Sequence, residues 1–128
     1  MTDRRWPLVV AALLGATSVM AGAFGAHGLR AVLTERYLAT WETAAHYQLT
    51  HALALLALAL SMQAVPRLAN SSWCLWSARC FILGSLIFSG SLYALVLSGI
   101  GWLGAITPLG GALLIMGWLL LAIAAVKR

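Results

Sequence analysis

From Cys80 to Val126 the chain carries no charged side chain. No stretch of that length can lie on a water-facing surface, where charge and polarity must recur every few residues. Soluble domains carry about 25% charged residues, whereas here 9% of the 128 residues are charged and 62% are hydrophobic. The solvent implied is hydrocarbon. About 20 consecutive apolar residues cross it as a helix, and four segments have that character: 7–26, 41–64, 77–98 and 108–126. They predict an all-α fold, an integral membrane four-helix bundle, as a single membrane domain over 1–128.

The net charge of +5 would suggest nucleic acid in a soluble chain. Its distribution gives a better account. With the N-terminus inside, Arg4, Arg5, Arg67, Arg79, Lys127 and Arg128 fall on the cytoplasmic side, leaving only Arg30 and Arg36 outside, partly offset by Glu35. That asymmetry follows the positive-inside rule for four spans with the N-terminus and C-terminus cytoplasmic. The cations serve topology, and no nucleic acid is expected as a partner. Arg4-Arg5, the apolar run and Ala21-Gly22-Ala23 imitate a signal peptide. A secretory core is about 7–15 residues long, and this one continues to Ala26, so a retained first span is expected. Cys74 and Cys80 are six positions apart on one helix and in a reducing compartment. They are expected as small apolar fillers, not as a disulfide or metal pair.

Trp6, Trp41, Trp73, Trp76 and Trp102 fall at the expected boundaries, where an amphipathic indole is favoured; Trp118 alone lies inside a span. Pro7 suits a first helical turn, Thr107-Pro108 reads as a cap followed by the first helical residue, and Pro66 helps to end the second span. Small residues in the first helix (Gly15, Ser18, Gly22, Gly25), the third (Gly84, Ser85, Ser89, Gly90, Ser91) and the fourth (Gly110, Gly111, Gly117) predict close helix packing. Residues 27–40 are polar enough for the outer surface, with a short interfacial helix around Arg30–Leu33 and Tyr37-Leu38. The loop 99–107, which contains Trp102, is uncharged and must pack on the bundle.

The second span opens with ETAAHYQLTHALALL, residues 42–56. On a helical wheel Leu49, Leu53, Leu56 and Leu60 share a lipid-facing side. Ala45, Ala52 and Ala59 form a small stripe with Gln48 at its edge, and Tyr47 and His51 lie opposite the leucines. At about 1.5 Å per residue from Trp41, Glu42 and His46 are shallow. Gln48 is about 10 Å and His51 about 15 Å deep. A polar group at that depth needs a partner. For His51 the candidates are Tyr47, Gln48, Ser85, Ser89, Ser91, Tyr93, Thr17 and Ser18, while His27, at the end of the first span, is placed to face Glu42 or His46.

Several readings of this polar cluster stay open. An ionisable residue inside a membrane suggests function, so Glu42, His46 and His51 form a conceivable proton path for a small transporter or channel, although no carboxylate lies deep. His27, His46 and His51 as haem or metal ligands require matched depths on facing helices, which the pattern lacks, and the i, i+5 spacing of His46 and His51 suits zinc poorly. No cofactor and no metal are therefore expected. A buried hydrogen-bond cluster that fixes helix register is the simplest reading. A lipid, quinone or protein site remains alongside it. Ser89 and Ser91 have no acid–base partner by spacing, so no catalytic residue is expected.

Four motifs occur in order: AFGAHGL at 23–29, WETAAHYQLTHALALL at 41–56, FSGSLY at 88–93, and LGAITPLGG at 103–111 followed by Gly117-Trp118. In these the chain resembles the small bacterial inner-membrane family that includes YgdD and YwdK, related to the transmembrane protein 256 group. The resemblance covers about residues 7–120. It implies a multi-pass protein of the bacterial inner (plasma) membrane whose function is unknown, and it carries over no catalytic residue. Positions matching its characteristic features are His27, Trp41, Tyr47, Gln48, His51, Thr107 and Pro108, with Glu42 and His46 more variable. The function expected is a non-enzymatic accessory or structural component in the lipid bilayer, acting through a homo-oligomer or a membrane-protein complex. A transporter or channel and a quinone- or haem-binding redox module are the alternatives.

Overall fold

The computed structural model describes residues 5–127, which are all-helical, with no strand among them. Arg4 and Arg128, part of the expected charge asymmetry, lie outside the described residues. Helix α1 (Trp6–Phe24) starts with Pro7 in its first turn, where a missing N–H removes no hydrogen bond. It runs into a π-helical turn, Gly25–Leu29. Helix α2 (Glu35–Ala64) is 30 residues long. A four-residue helix α3 (Pro66–Ala69) leads to α4 (Ser72–Ser98). A 3-10 turn (Gly101–Ala105) leads to α5 (Thr107–Val126).

Local chemistry sets these limits. Thr34 is extended, and its Oγ1 accepts the Tyr37 N–H at 3.2 Å, capping α2 six residues earlier than the sequence suggests. The expected interfacial helix is therefore absent: Arg30–Leu33 form a turn, and Tyr37-Leu38 belong to α2. Ser71 caps α4 in the same way, accepting from the Cys74 N–H at 3.3 Å, so α4 begins at Ser72 and not at 77. Gly99 ends α4 at φ 72°, a left-handed conformation that only glycine adopts without strain. Thr107 is no cap. Ile106 holds that position, and Thr107 begins the helix with its hydroxyl 2.6 Å from the Ser91 hydroxyl.

Helix α2 packs on α1 and on α4, and α4 packs on α5. The α4–α5 interface is built on glycine. A Cβ on Gly110 would collide with the backbone of Phe88, one on Gly117 would sit 2.7 Å from the Phe81 ring, and one on Gly84 would sit 3.0 Å from the Gly110 carbonyl. Gly15, Gly22 and Gly90 face open space, so their small size serves no contact within the chain. The main core includes Leu14, Leu55, Leu58, Met62, Phe81 and Leu114, and a smaller cluster of Leu29, Trp41 and Val96 closes the other end. Leu49, Leu53 and Leu60 are exposed as expected, while Leu56 is partly buried. Ala45, Ala52 and Ala59 are buried.

Among the described residues, three helical stretches are long and apolar enough to cross a membrane: Trp6–Leu29, Ser72–Ser98 and Gly101–Val126. Helix α2 is not among them. Its length suffices, but the polar residues at its head dilute its hydropathy.

Candidate functional site: a polar seam along the second helix

Gln48 and His51 are each only 6% exposed, and both point inward from α2. They do not share one cluster. The carboxamide of Gln48 joins three helices. Its Nε2 donates to the Leu14 carbonyl at 3.0 Å and to Thr17 Oγ1 at 2.7 Å on α1, while its Oε1 accepts from the Tyr93 hydroxyl on α4 at 2.7 Å. The sequence grouped Thr17 and Tyr93 as partners for His51, but both belong to Gln48.

His51 instead turns toward α5. The Trp118 Nε1–H donates to its Nε2 at 3.1 Å, and its Nδ1 lies 2.8 Å from the Tyr47 carbonyl. An indole nitrogen can only donate, so Nε2 must be the acceptor. Nδ1 therefore carries the proton and donates to the carbonyl. This network assigns the neutral Nδ1–H tautomer and occupies both nitrogens, leaving no lone pair for a metal. The ring also lies among aromatics, 5.7 Å from Phe81 and 5.9 Å from Trp118, while Tyr47 stacks on Phe88 with 4.6 Å between ring centroids.

Trp118 was missed as a partner, although a signal for it existed. A single indole within a span cannot leave its N–H unpaired in hydrocarbon. Depth alone matched it to no acceptor, because the wheel of α2 gives a direction but not the helix that lies there.

Other polar groups along the seam are closed by backbone. Ser89 Oγ donates to the Ala44 carbonyl and Ser77 Oγ to the Gly117 carbonyl, both at 2.7 Å, and Trp41 Nε1 donates to the Ala21 carbonyl at 2.7 Å. Trp41 also packs against Tyr93, with 4.6 Å between centroids. Among the described residues, Ser85 Oγ is the one buried side-chain polar atom without a hydrogen bond.

The shallow residues are not gathered. His27, Glu42 and His46 are exposed, and among the described residues no hydrogen bond or ion pair joins His27 to Glu42 or His46. Neither nitrogen of His51 bonds to His46 or Glu42, so the hydrogen bonds do not run along Glu42, His46 and His51. Among the described residues no group of three His, Cys, Asp or Glu side chains is placed to hold a metal ion. Cys74 and Cys80 are free thiols. Trp102 is exposed on the 3-10 turn, Pro108 is exposed, and Thr107 is half-buried.

The model of the family described as "Protein of unknown function (DUF423)" matches residues 21–111. The chain is 43% identical over 120 residues to a UPF0382 membrane protein of Staphylococcus epidermidis, covering 94% of both chains. It is 43% identical to one of Staphylococcus haemolyticus with the same coverage. With the UPF0382 membrane protein YwdK of Bacillus subtilis it shares 37% identity over 123 residues, 94% of this chain and 95% of that one. No solved structure matches it. The matched segment contains the seam residues Trp41, Gln48, His51 and Tyr93, and the chain belongs to this DUF423 family, whose relatives are membrane proteins of uncharacterised function.

Proposed function

We propose that the protein is a non-enzymatic structural or accessory component of the bacterial inner membrane, acting as an oligomer or within a larger membrane complex. In this reading α1, α2, α4 and α5 all cross the bilayer as a four-helix bundle, with both termini in the cytoplasm. The observation that carries it is the closure of the seam. Gln48 and His51 have their hydrogen bonds satisfied inside the chain, and the bonds are made to three other helices or to backbone. Groups so engaged fix helix register and offer no free proton acceptor, which favours a structural role over a transport path. Occupation of both His51 nitrogens likewise weighs against the haem reading.

Helix α2 supports the four-span arrangement by its length, about 45 Å at 1.5 Å per residue, against a hydrocarbon core of about 30 Å. Charge supports the orientation: Arg67 and Lys127 meet at one end, where the Arg67 Nη1 donates to the Lys127 carbonyl at 2.5 Å. The test is His51→Ala, measured as thermal stability in detergent beside growth of cells carrying the variant. A structural residue gives lower stability, by about 1–3 kcal/mol for the lost bond and packing. Unchanged stability together with a growth or transport defect would falsify the structural role.

A further inference from the structure

Where α2 passes into α3 and α5 ends, two adjoining depressions share Arg67 and Ala124. One runs between α2, α4 and α5, encloses about 320 Å³, and is walled by Ala54, Ala57, Leu58 and Leu121, with Trp118 toward the middle of the molecule. The other, also about 320 Å³, is polar and lined by Asn70, Ser71, Ser72 and Lys127, with Trp73 beside them. An apolar slot beside a basic, hydroxyl-lined basin, with Arg67 and Ala124 in the lining of both, has the division of a lipid molecule.

Among the described residues no carboxylate answers this charge. Arg67 spends Nη1 on the carbonyls of Ala124 (3.4 Å) and Lys127 (2.5 Å). Its Nε and Nη2 donors make no hydrogen bond among the described residues. Among those residues no carboxylate pairs with Arg67 or Lys127, and Glu35 and Glu42 belong to the opposite end of α2. The basin also lies at the start of α4, where Ser71 takes the Cys74 N–H and the Ser72 and Trp73 amides make no hydrogen bond among the described residues, an arrangement that favours an anion. Basic pockets between membrane helices hold anionic headgroups in this way.

We propose that this double depression binds an anionic phospholipid, with its phosphate at Arg67 and Lys127 and an acyl chain in the alanine-walled slot. A free phosphate would use only the basin and leave the slot idle. The proposal goes beyond the structural role and does not depend on it.

The test is thermal unfolding of the purified full chain in neutral detergent with added phosphatidylglycerol, phosphatidylcholine of the same acyl chains, or inorganic phosphate. Phosphatidylglycerol should raise Tm by several degrees while the other two leave it in place. Lys127→Gln, which keeps the backbone carbonyl used by Arg67, and Ala57→Phe, which fills the slot from its exposed rim, should each remove at least half of that rise. An equal rise with phosphatidylcholine, an equal rise with inorganic phosphate alone, or a full rise retained in both variants overturns the assignment. Should Ala57→Phe fail to fold, Lys127→Gln decides alone.

Discussion

His51 shows how a single polar side chain is held in an apolar helix. Its two nitrogens are engaged by groups of opposite kind, a backbone carbonyl and an indole N–H, and that pairing fixes the tautomer. Trp118→Phe removes the donor while keeping most of the ring packing against Phe81. The expected loss is about 0.6–1.7 kcal/mol, the range of interhelical hydrogen bonds in a bilayer protein. A double-mutant cycle with His51→Ala, read by thermal unfolding, should return a coupling of similar size. Independent, additive losses would mean that packing alone holds the pair. The need for a partner was legible from the depth of His51. The partner was not, because it belongs to a helix 67 positions away whose placement is a tertiary fact. Gln48 presents the same lesson, since Thr17 and Tyr93 were visible as candidates for the neighbouring histidine.

At the scale of elements, the helix-making signals were local and so could be read, apart from their first turns. Thr34 and Ser71 lengthen α2 and α4 at their N-termini through single hydroxyl caps, and hydropathy does not register a cap. The glycines show a second limit. The sequence marked the glycines of the first, third and fourth spans as packing residues, yet only part of that set meets a neighbouring helix. This contrast makes a signed prediction. Gly→Ala within an exposed helix gains about 1 kcal/mol from propensity, so Gly22→Ala, with open space around its Cβ position, should be neutral or stabilising. Gly110→Ala drives a methyl into the Phe88 backbone and should lose about 1–3 kcal/mol in the same unfolding measurement. If both variants gain stability, the close α4–α5 contact is wrong.

For the whole molecule, membrane residence was legible from composition, because so few charges cannot cover a water-facing surface. The order of packing, with α2 between α1 and α4, was not, since hydropathy marks apolar stretches without saying which of them are neighbours. The proposed orientation predicts that an alkaline phosphatase fused after Thr34 is active and one fused after Asn70 is inactive, as measured by enzyme activity in whole cells. The reverse pattern would place the basic end outside.

The polar head of α2 also bears on how the chain is made. Helices leave the ribosome in order, and α2 is the long helix that is not apolar enough to qualify as a span by itself. When it emerges, α1 has already been synthesised, and the Leu14 carbonyl and Thr17 hydroxyl can receive the Gln48 amide at once. The Tyr93 hydroxyl arrives only with α4, and the indole that meets His51 arrives last, within α5. The contacts of the second helix are thus completed by the final one, and a chain cut short before Trp118 leaves the His51 Nε2 without its donor.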